Sequence, residues 1–165
     1  MMMGFDESSV GDYLGSCRFW VPGKPRGKAR PRFNPAAPGA RPYTPADTVA
    51  YETLVATRYR AERVEADLRL PHVAMVDIVA YYPIPQRYTK AERAQALTGT
   101  LQPTANPDID NIAKIVLDAL NGVAWSDDKC VVDLHVAKYH AAAPGVQITI
   151  RWYRTWRRKR GGKKP

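Results

Sequence analysis

The alternation of apolar and polar positions divides the chain into short strands and helices. Segments 17–21 and 73–82 are rich in apolar and aromatic residues and each ends at a proline, which predicts two strands. Residues 130–139 and 146–153 alternate like strands, and the short Ala-Pro-Gly link between them predicts that they form a hairpin. These four segments supply the strands of the predicted fold.

Three other segments have helical features. A helix from 45 to about 69 follows Thr44, and a capping box at Thr89 opens a second helix that extends to about residue 97. The third helix, 110–121, has the spacing of one buried face at Ile112, Ile115, Val116, Ala119 and Leu120. Strands and helices in this order predict an α+β domain, with packed helices on a mixed β-sheet.

Proline content and charge mark the boundaries of this domain. Residues 22–45 contain seven prolines and three glycines, which predicts a basic, irregular arm. Residues 1–16 and 154–165 have no hydrophobic period, so we expect a disordered leader and a disordered basic tail. The domain itself is predicted to span residues 17–153.

The formal net charge of +9 is concentrated in two parts of the chain. Residues 13–46 hold seven Lys or Arg and no acid, residues 151–165 hold eight and no acid, and residues 47–150 hold ten basic against 13 acidic residues. This distribution indicates a polyanionic partner, although a solvated charge run is the alternative for the arm. The side chains predicted to contact nucleic-acid phosphates are Lys24, Arg26, Lys28, Arg30 and Arg32 in the arm and Arg157, Arg158, Lys159 and Arg160 in the tail, where Trp156 could stack on a base.

Several classes of protein are excluded by composition. No run approaches eighteen apolar residues and the start lacks the pattern of a secretory signal, so we expect no membrane association. Two cysteines, Cys17 and Cys130, make neither a disulfide framework nor a zinc site. The expected location is the cytoplasm.

The segment 106–122 carries the candidate chemistry. Asp108 and Asp110 are two residues apart, directly before a polar stripe of the third helix that holds Asn111, Lys114, Asp118 and Asn121. Neighbouring carboxylates repel unless a cation lies between them, and Mg²⁺ is commonly held by one or two carboxylates together with phosphate oxygens. A lysine one turn further along could neutralise charge in a phosphoryl transition state.

Simpler interpretations of the same residues remain open. Asp110 or Asn111 could cap the helix, Lys114 and Asp118 could form an exposed pair at i and i+4, and Asp127-Asp128 could be an ordinary turn. For the other candidate functional residues a structural role is the favoured interpretation. We expect Asp77 to occupy a paired or solvent-facing strand position. The histidines His72, His135 and His140 are expected to be structural or exposed, and Trp20, Trp125 and Trp152 to pack in the core.

One extended pattern resembles a known family. The run Pro107-Asp108-Ile109-Asp110-Asn111, then Lys114, then Asp118-Ala119-Leu120-Asn121-Gly122, followed by Trp125, Asp127-Asp128 and Val131, resembles the signature of the RusA family of Holliday junction resolvases. These are small, homodimeric, Mg²⁺-dependent endonucleases that are common in phages and prophages. The resemblance covers about residues 17–153 and is most specific in 107–131, and it implies a RusA-like fold.

The resemblance also implies roles for individual residues. It assigns Mg²⁺ binding, for which Mn²⁺ can substitute, to Asp108, Asp110 and Asp128, and it makes Lys114 the catalytic lysine. Supporting positions next to these are implied for Asp127, Asp118 and Asn111, with Asp118 holding Lys114.

The activity that the resemblance implies is the resolution of four-way DNA junctions by paired phosphodiester cuts, carried out by a homodimer in a bacterial or phage-infected cell. The two-fold symmetry of a junction favours a dimer with one site per subunit. Two alternatives stay open. One is a nuclease of forks or flaps, and the other is a module that binds DNA or RNA structures without cutting them.

Overall fold

A computed structural model describes residues 11–32, 41–62 and 72–155. Its elements in chain order are β1 (Tyr13–Pro22), α1 (Ala46–Ala61), β2 (His72–Pro83), α2 (Lys90–Leu97), α3 (Ile109–Leu120), a 3₁₀ turn (Asp128–Cys130), β3 (Val131–Ala141) and β4 (Gly145–Arg154). The predicted α+β class, with helices on a mixed sheet, is confirmed. None of the helices in these ranges is long and apolar enough to span a lipid bilayer.

The four strands form one sheet in the order β1-β4-β2-β3. β4 is antiparallel to both β1 and β2, whereas β2 and β3 are parallel. The predicted hairpin of β3 with β4 is therefore wrong, because β2 lies between them. β2 is buried on both faces at Ala74, Met75 and Val76, which favours a central position, and the link 142–144 can cross one strand because two strand spacings are only about 10 Å.

One face of the sheet packs against the helices and forms the core. The apolar side of α3 faces inward as predicted, and its Ile112, Ile115 and Leu120 are fully buried. Trp125 and Trp152 are also buried, as expected, and the indole N–H of Trp152 donates to the Ala124 carbonyl at 3.1 Å. This packing fixes α3 along the sheet.

The opposite face of the sheet carries a row of aromatic rings. Trp20 is 37% exposed there, so the prediction that it packs in the core is wrong. The reason is strand alternation: Phe19 points into the core and Trp20 points the other way. The Trp20 ring lies 5.7 Å from that of Tyr81, which lies 6.4 Å from that of Tyr139.

Polar strand positions on that face are paired. Asp77 accepts a hydrogen bond from Arg151 at 2.9 Å and has the ring of His135 at 3.8 Å. The structural interpretation of Asp77 is thus confirmed. His135 is exposed and His140 is buried, which also agrees with structural or exposed histidines.

Several predicted boundaries shift. β1 begins at Tyr13, so residues 13–16 belong to the sheet and not to the leader. α1 starts at Ala46 and ends at Ala61, with no side-chain cap at its start, whereas the capping box of Thr89 on α2 is present as predicted. Asp12 of the predicted leader accepts a hydrogen bond from the Arg154 N–H, and Arg154, the first residue of the predicted tail, ends β4. Residues 1–10 of the leader and the tail residues from 156 onward lie outside the described residues.

Candidate metal and nucleic-acid site

The start of α3 presents two exposed carboxylates. Asp108 occupies the N-cap position in extended conformation but makes no capping hydrogen bond, and Asp110 lies in the first helical turn. The interpretation that Asp110 or Asn111 caps the helix is therefore wrong, since Asp108 holds that position. Both carboxylates stay available to a ligand, next to the positive end of the helix dipole.

The loop before Asp108 is anchored by side chains from two neighbouring strands. The Tyr82 hydroxyl donates to the Pro107 carbonyl at 3.3 Å, and the Lys138 ammonium donates to the same carbonyl at 3.1 Å and to the Ala105 carbonyl. The ammonium also lies 5.0 Å from the centre of the Tyr82 ring. These contacts fix the backbone immediately before Asp108.

Tyr82 is protonated at neutral pH. Burial, together with the negative charge of Asp108, raises the pKa of Tyr82 to about 12. The hydroxyl therefore remains a hydrogen-bond donor to Pro107 throughout the physiological range. The proximity of Asp108 to this ring places the carboxylate at the Tyr82 end of β2.

The basic arm lies against the same helix. The Lys28 N–H donates to the Asn111 carbonyl at 2.9 Å. A Cβ on Gly27 would lie 2.6 Å from that of Pro107 and 2.9 Å from that of Asn111, so only glycine allows this approach. The arm thus runs directly beside the loop that carries Asp108.

Lys28 is a clamp between helices. Its side chain is 19% exposed, and its ammonium pairs with Asp118 of α3 at 2.7 Å and with Glu52 of α1 at 2.5 Å. Two of the three N–H donors of the ammonium are thus engaged within the protein, and the phosphate contact of Lys28 stays a prediction. In the described residues Asp118 pairs with Lys28 and makes no ion pair with Lys114, so its expected supporting role beside Lys114 stays a prediction.

The ion pairs of Lys28 strengthen its charged state. Burial alone would lower its pKa, but the hydrogen bonds and negative charges of Asp118 and Glu52 outweigh that effect and raise the pKa of Lys28 above 10.5. The contribution of charged Lys28 to the stability of the fold is therefore complete below pH 10.5, and it is lost as the pH rises through the higher pKa of the folded state.

Replacing Lys28 by methionine should reduce the free energy of unfolding by about 2 kcal/mol at pH 7, because Asp118 and Glu52 then face each other without a cation. Denaturant titration measures the change. The exposed Lys24→Met variant serves as the control and should unfold like the parent. The difference in the free energy of unfolding between the parent and Lys28→Met should shrink above pH 10.5. The same difference at pH 7 and at strongly alkaline pH would contradict a stabilising role for the Lys28 ion pairs.

A cleft of about 480 Å³ lies between the arm, the start of α1 and the loop 106–107. Its charged and polar lining residues are Lys24, Arg26, Arg32, Asp47, Thr48 and Asn106. Arg26 pairs with Asp47 at 3.5 Å, while Lys24, Arg30 and Arg32 are exposed. The cleft has a net positive charge and lies beside the Asp108 loop.

Lys114 lies one turn after Asp110 on the exposed side of α3. No ion pair joins it to any residue in the described ranges, so the predicted i, i+4 pair with Asp118 is absent there. Its ammonium faces solvent on the same helix as the two carboxylates.

Asp128 lies at the other end of α3. Asn121, directly after the helix, bridges to Trp125, whose indole N–H donates to the Asp128 carboxylate at 3.0 Å. A helix of twelve residues is about 18 Å long, so Asp128 is well separated from Asp108 along the helix axis. Within residues 11–32, 41–62 and 72–155, no three His, Cys, Asp or Glu side chains form a group that could hold a metal ion.

Asp127 stabilises the turn beside Asp128. Its carboxylate accepts from the Lys129 N–H at 3.0 Å and pairs with the Lys129 ammonium at 3.0 Å. These interactions, led by the backbone hydrogen bond, hold the pKa of Asp127 below its usual value. The turn interpretation thus accounts for the contacts of Asp127.

The contacts of Tyr82, Lys138 and Glu52 were not anticipated from the sequence. For Lys138 the strand pattern does contain a signal. Its side chain points to the same face of the sheet as buried Ala80, its register partner, and a lysine on that face needs a polar partner for its ammonium. The sequence gives no such signal for Tyr82 or Glu52, since each occupies an ordinary strand or helix position.

Comparisons with known proteins agree with the motif. The chain matches the family model described as Endodeoxyribonuclease RusA over residues 22–151. It is also similar to Uncharacterized protein YqaN of Bacillus subtilis (strain 168), with 34% identity over 139 residues, which covers 81% of this chain and 94% of that protein.

Proposed function

The chain belongs to the RusA endodeoxyribonuclease family, and from that premise we propose that it is a Mg²⁺-dependent resolvase of four-way DNA junctions. One observation carries the proposal. Asp108 and Asp110 are exposed at the start of α3 with Lys114 on the next turn, and a basic arm is clamped against the same helix.

The donor set at the start of α3 fits Mg²⁺. Asp108 and Asp110 offer hard carboxylate oxygens, and a bound Mg²⁺ would supply Lewis-acid activation of a phosphodiester. Tyr82 and Lys138 hold the backbone before these carboxylates. The Lys114 ammonium, exposed on the next turn of α3, would neutralise charge on the reacting phosphate.

Asp128 requires a second copy of the chain to join this pair. The separation of Asp128 from Asp108 along α3 supports a dimer in which Asp128 of one subunit completes the site begun by Asp108 and Asp110 of the other. A two-fold dimer then has two complete sites, as two symmetric cuts require.

DNA binding is assigned to the exposed part of the arm. Lys24, Arg30 and Arg32 are exposed and could contact phosphates, and Arg26 can exchange Asp47 for a phosphate, because the pair is exposed. Such contacts position the duplex arms of a junction, whose shape supplies the selectivity. Tail residues 157–160 are proposed as further contacts.

Cleavage of matched substrates tests the proposal. A four-way junction, a fork, a flap and a linear duplex of shared sequence are incubated with the protein in Mg²⁺ or EDTA. We expect paired, symmetric cuts in the junction, only in Mg²⁺. Faster cutting of the fork or flap would favour the branched-DNA nuclease, and binding without cutting would favour the non-catalytic module.

Replacing Lys114 by methionine should slow junction cleavage by about 100- to 1000-fold and leave the melting temperature unchanged, because the side chain is exposed and stabilises charge only as the reaction proceeds. Single-turnover rates and thermal unfolding measure the two effects. The exposed Lys90→Met variant on α2 should cut like the parent. Equal rates for all three proteins would remove Lys114 from the reaction.

Deleting residues 156–165 should weaken junction binding with little change in stability. The deletion removes six of the 25 basic side chains and leaves β4 intact. If those cations contact phosphates, the slope of log affinity against log salt should become shallower by up to about five units. An unchanged slope in a salt titration would exclude the tail from the interface.

A further inference from the structure

The sheet face opposite the helices presents three aromatic rings, called the aromatic row below: Trp20 of β1, Tyr81 of β2 and Tyr139 of β3. The ring centres of Trp20 and Tyr81 are 5.7 Å apart, and those of Tyr81 and Tyr139 are 6.4 Å apart. Trp20 and Tyr139 are each 37% exposed. The row therefore crosses the sheet from edge to edge and offers aromatic surface to solvent at both of its ends.

A glycine on β4 makes the row continuous. Gly145 is in register with Pro22 on β1 and with Tyr81 on β2. A Cβ on Gly145 would lie 2.6 Å from Cη2 of Trp20, so the six-membered ring of Trp20 fills the space that a side chain at 145 would occupy. Any larger residue at this position would push the indole away from Tyr81.

The basic arm begins at one end of the row. The Gly23 N–H donates to the Pro144 carbonyl at 3.1 Å, which fixes the start of the arm at the corner between β1 and β4. Lys24 follows; it is exposed and lines the cleft beside the candidate site. Lys28, five residues after Gly23, already donates its N–H to Asn111 of α3. The arm thus joins the row to the candidate site over a distance of at most about 18 Å.

The charge on this face of the sheet favours a polyanion. Arg18 is exposed on β1 and projects from the same face as Trp20. Asp77 on β2 is already paired with Arg151 at 2.9 Å. Asp133 on β3 lies six residues, or about 20 Å, before the aromatic end of that strand. In the described strands, positive charge is therefore nearer to the row than negative charge.

Aromatic rings beside cations on a sheet face suit single-stranded nucleic acid. Unpaired bases stack on aromatic side chains with little regard to sequence, and the cations contact the phosphates between them. A duplex keeps the faces of its bases inside its own stack, so it gains nothing from such a row. The chemistry of the row is therefore selective for unpaired nucleotides.

We propose that the aromatic row binds a single-stranded segment of DNA, with bases stacked on Trp20 and Tyr139 and with phosphates at Arg18 and Lys24. DNA is the expected nucleic acid because the chain belongs to an endodeoxyribonuclease family. This binding goes beyond the proposed function, since a fully paired junction has no unpaired nucleotide to stack. A branched DNA with a single-stranded arm would occupy the row and the candidate site together.

Fluorescence anisotropy of a labelled oligothymidine of about 12 nucleotides, measured with the full chain in EDTA at low salt, tests the row without cleavage. Trp20→Leu and Tyr139→Leu should each bind about 5- to 100-fold more weakly than the parent, because each loses one stacking partner. Trp20→Phe and Tyr139→Phe keep a ring and should stay close to the parent. The control Tyr13→Leu removes an exposed ring at the other end of β1 and should bind like the parent.

Indole fluorescence adds a readout that a purely structural role of Trp20 would not change. A stacked base quenches an indole, so saturating oligothymidine should quench the parent more than Trp20→Phe. This comparison decides the question if the leucine variants lose the circular dichroism of the parent. Equal quenching in the two proteins would overturn the proposal.

Three other results would also overturn it: a parent that does not bind oligothymidine, folded leucine variants that bind it like the parent, or tighter binding of oligouridine than of oligothymidine. Junction cleavage by the parent in Mg²⁺ is measured separately. A parent that binds oligothymidine through the row but does not cut a junction would support the row and contradict the proposed function. The two proposals can therefore fail independently.

Discussion

The Asp110→Asn protein is expected to bind a four-way junction in EDTA at least as tightly as the parent and to lose Mg²⁺-dependent cleavage, on the order of 1000-fold or more. The substitution is nearly isosteric, and Asp110 is exposed, so the fold should persist. It replaces a charged carboxylate, proposed above to bind Mg²⁺, by a neutral amide, and it removes one negative charge that repels phosphate. Binding and cutting should therefore change in opposite directions.

Two measurements check this prediction. Junction affinity is measured in EDTA by fluorescence anisotropy, and single-turnover cleavage is measured in Mg²⁺. Asp108→Asn should behave in the same way, whereas Asp12→Asn, an exposed carboxylate that pairs with Arg154 near the end of β4, should match the parent in both assays. Substantial cleavage by both Asp108→Asn and Asp110→Asn would exclude these residues as metal ligands.

Local patterns predicted α3 well. Its observed span, Ile109–Leu120, differs by one residue from the predicted helix, because five apolar side chains at helical spacing fix both its type and its buried face. The capping box at Thr89 is similarly local, since its two hydrogen bonds join residues three positions apart. Features of this kind depend on neighbours along the chain and can be read from it.

The order of the strands could not be predicted in the same way. A short link suggested that β3 and β4 pair, but β2 is buried on both faces and is most stable between them. That preference depends on which strand can be covered on two sides, which is a property of the whole sheet. The tendency of strands that are neighbours along the chain to pair is only one of the contributions to the strand order.

The candidate site was predicted in its residue types but not in its arrangement. Lys28 looks like the other basic residues of the arm, and only the packing of α1 against α3 brings Glu52 and Asp118 to it. Asp128 is adjacent to the motif in sequence, yet the length of α3 carries it away from Asp108. Distances of this kind follow from the directions of helices and strands.

Mixing two inactive proteins should restore cutting if Asp128 acts on the site of the other subunit. In a dimer of one Asp110→Asn chain and one Asp128→Asn chain, one site receives both substitutions and the other receives neither. Random mixing makes about half of the dimers heterodimers, so about a quarter of all sites should be intact. Such a dimer should nick one strand of a junction but should not make paired cuts.

The restoration is measured as the appearance of nicked junction after the two proteins are unfolded together and refolded, with each protein treated alone as the baseline. A mixture of Asp108→Asn and Asp110→Asn is the matched control and should stay inactive, because both substitutions fall on the same half of the site and every heterodimer site carries one of them. If Asp128 instead completed the site of its own chain, every site in the first mixture would also carry a substitution. Nicking in the first mixture but not in the control therefore requires a site shared between two subunits, and equal inactivity in both, with heterodimers demonstrated by mass, would exclude it.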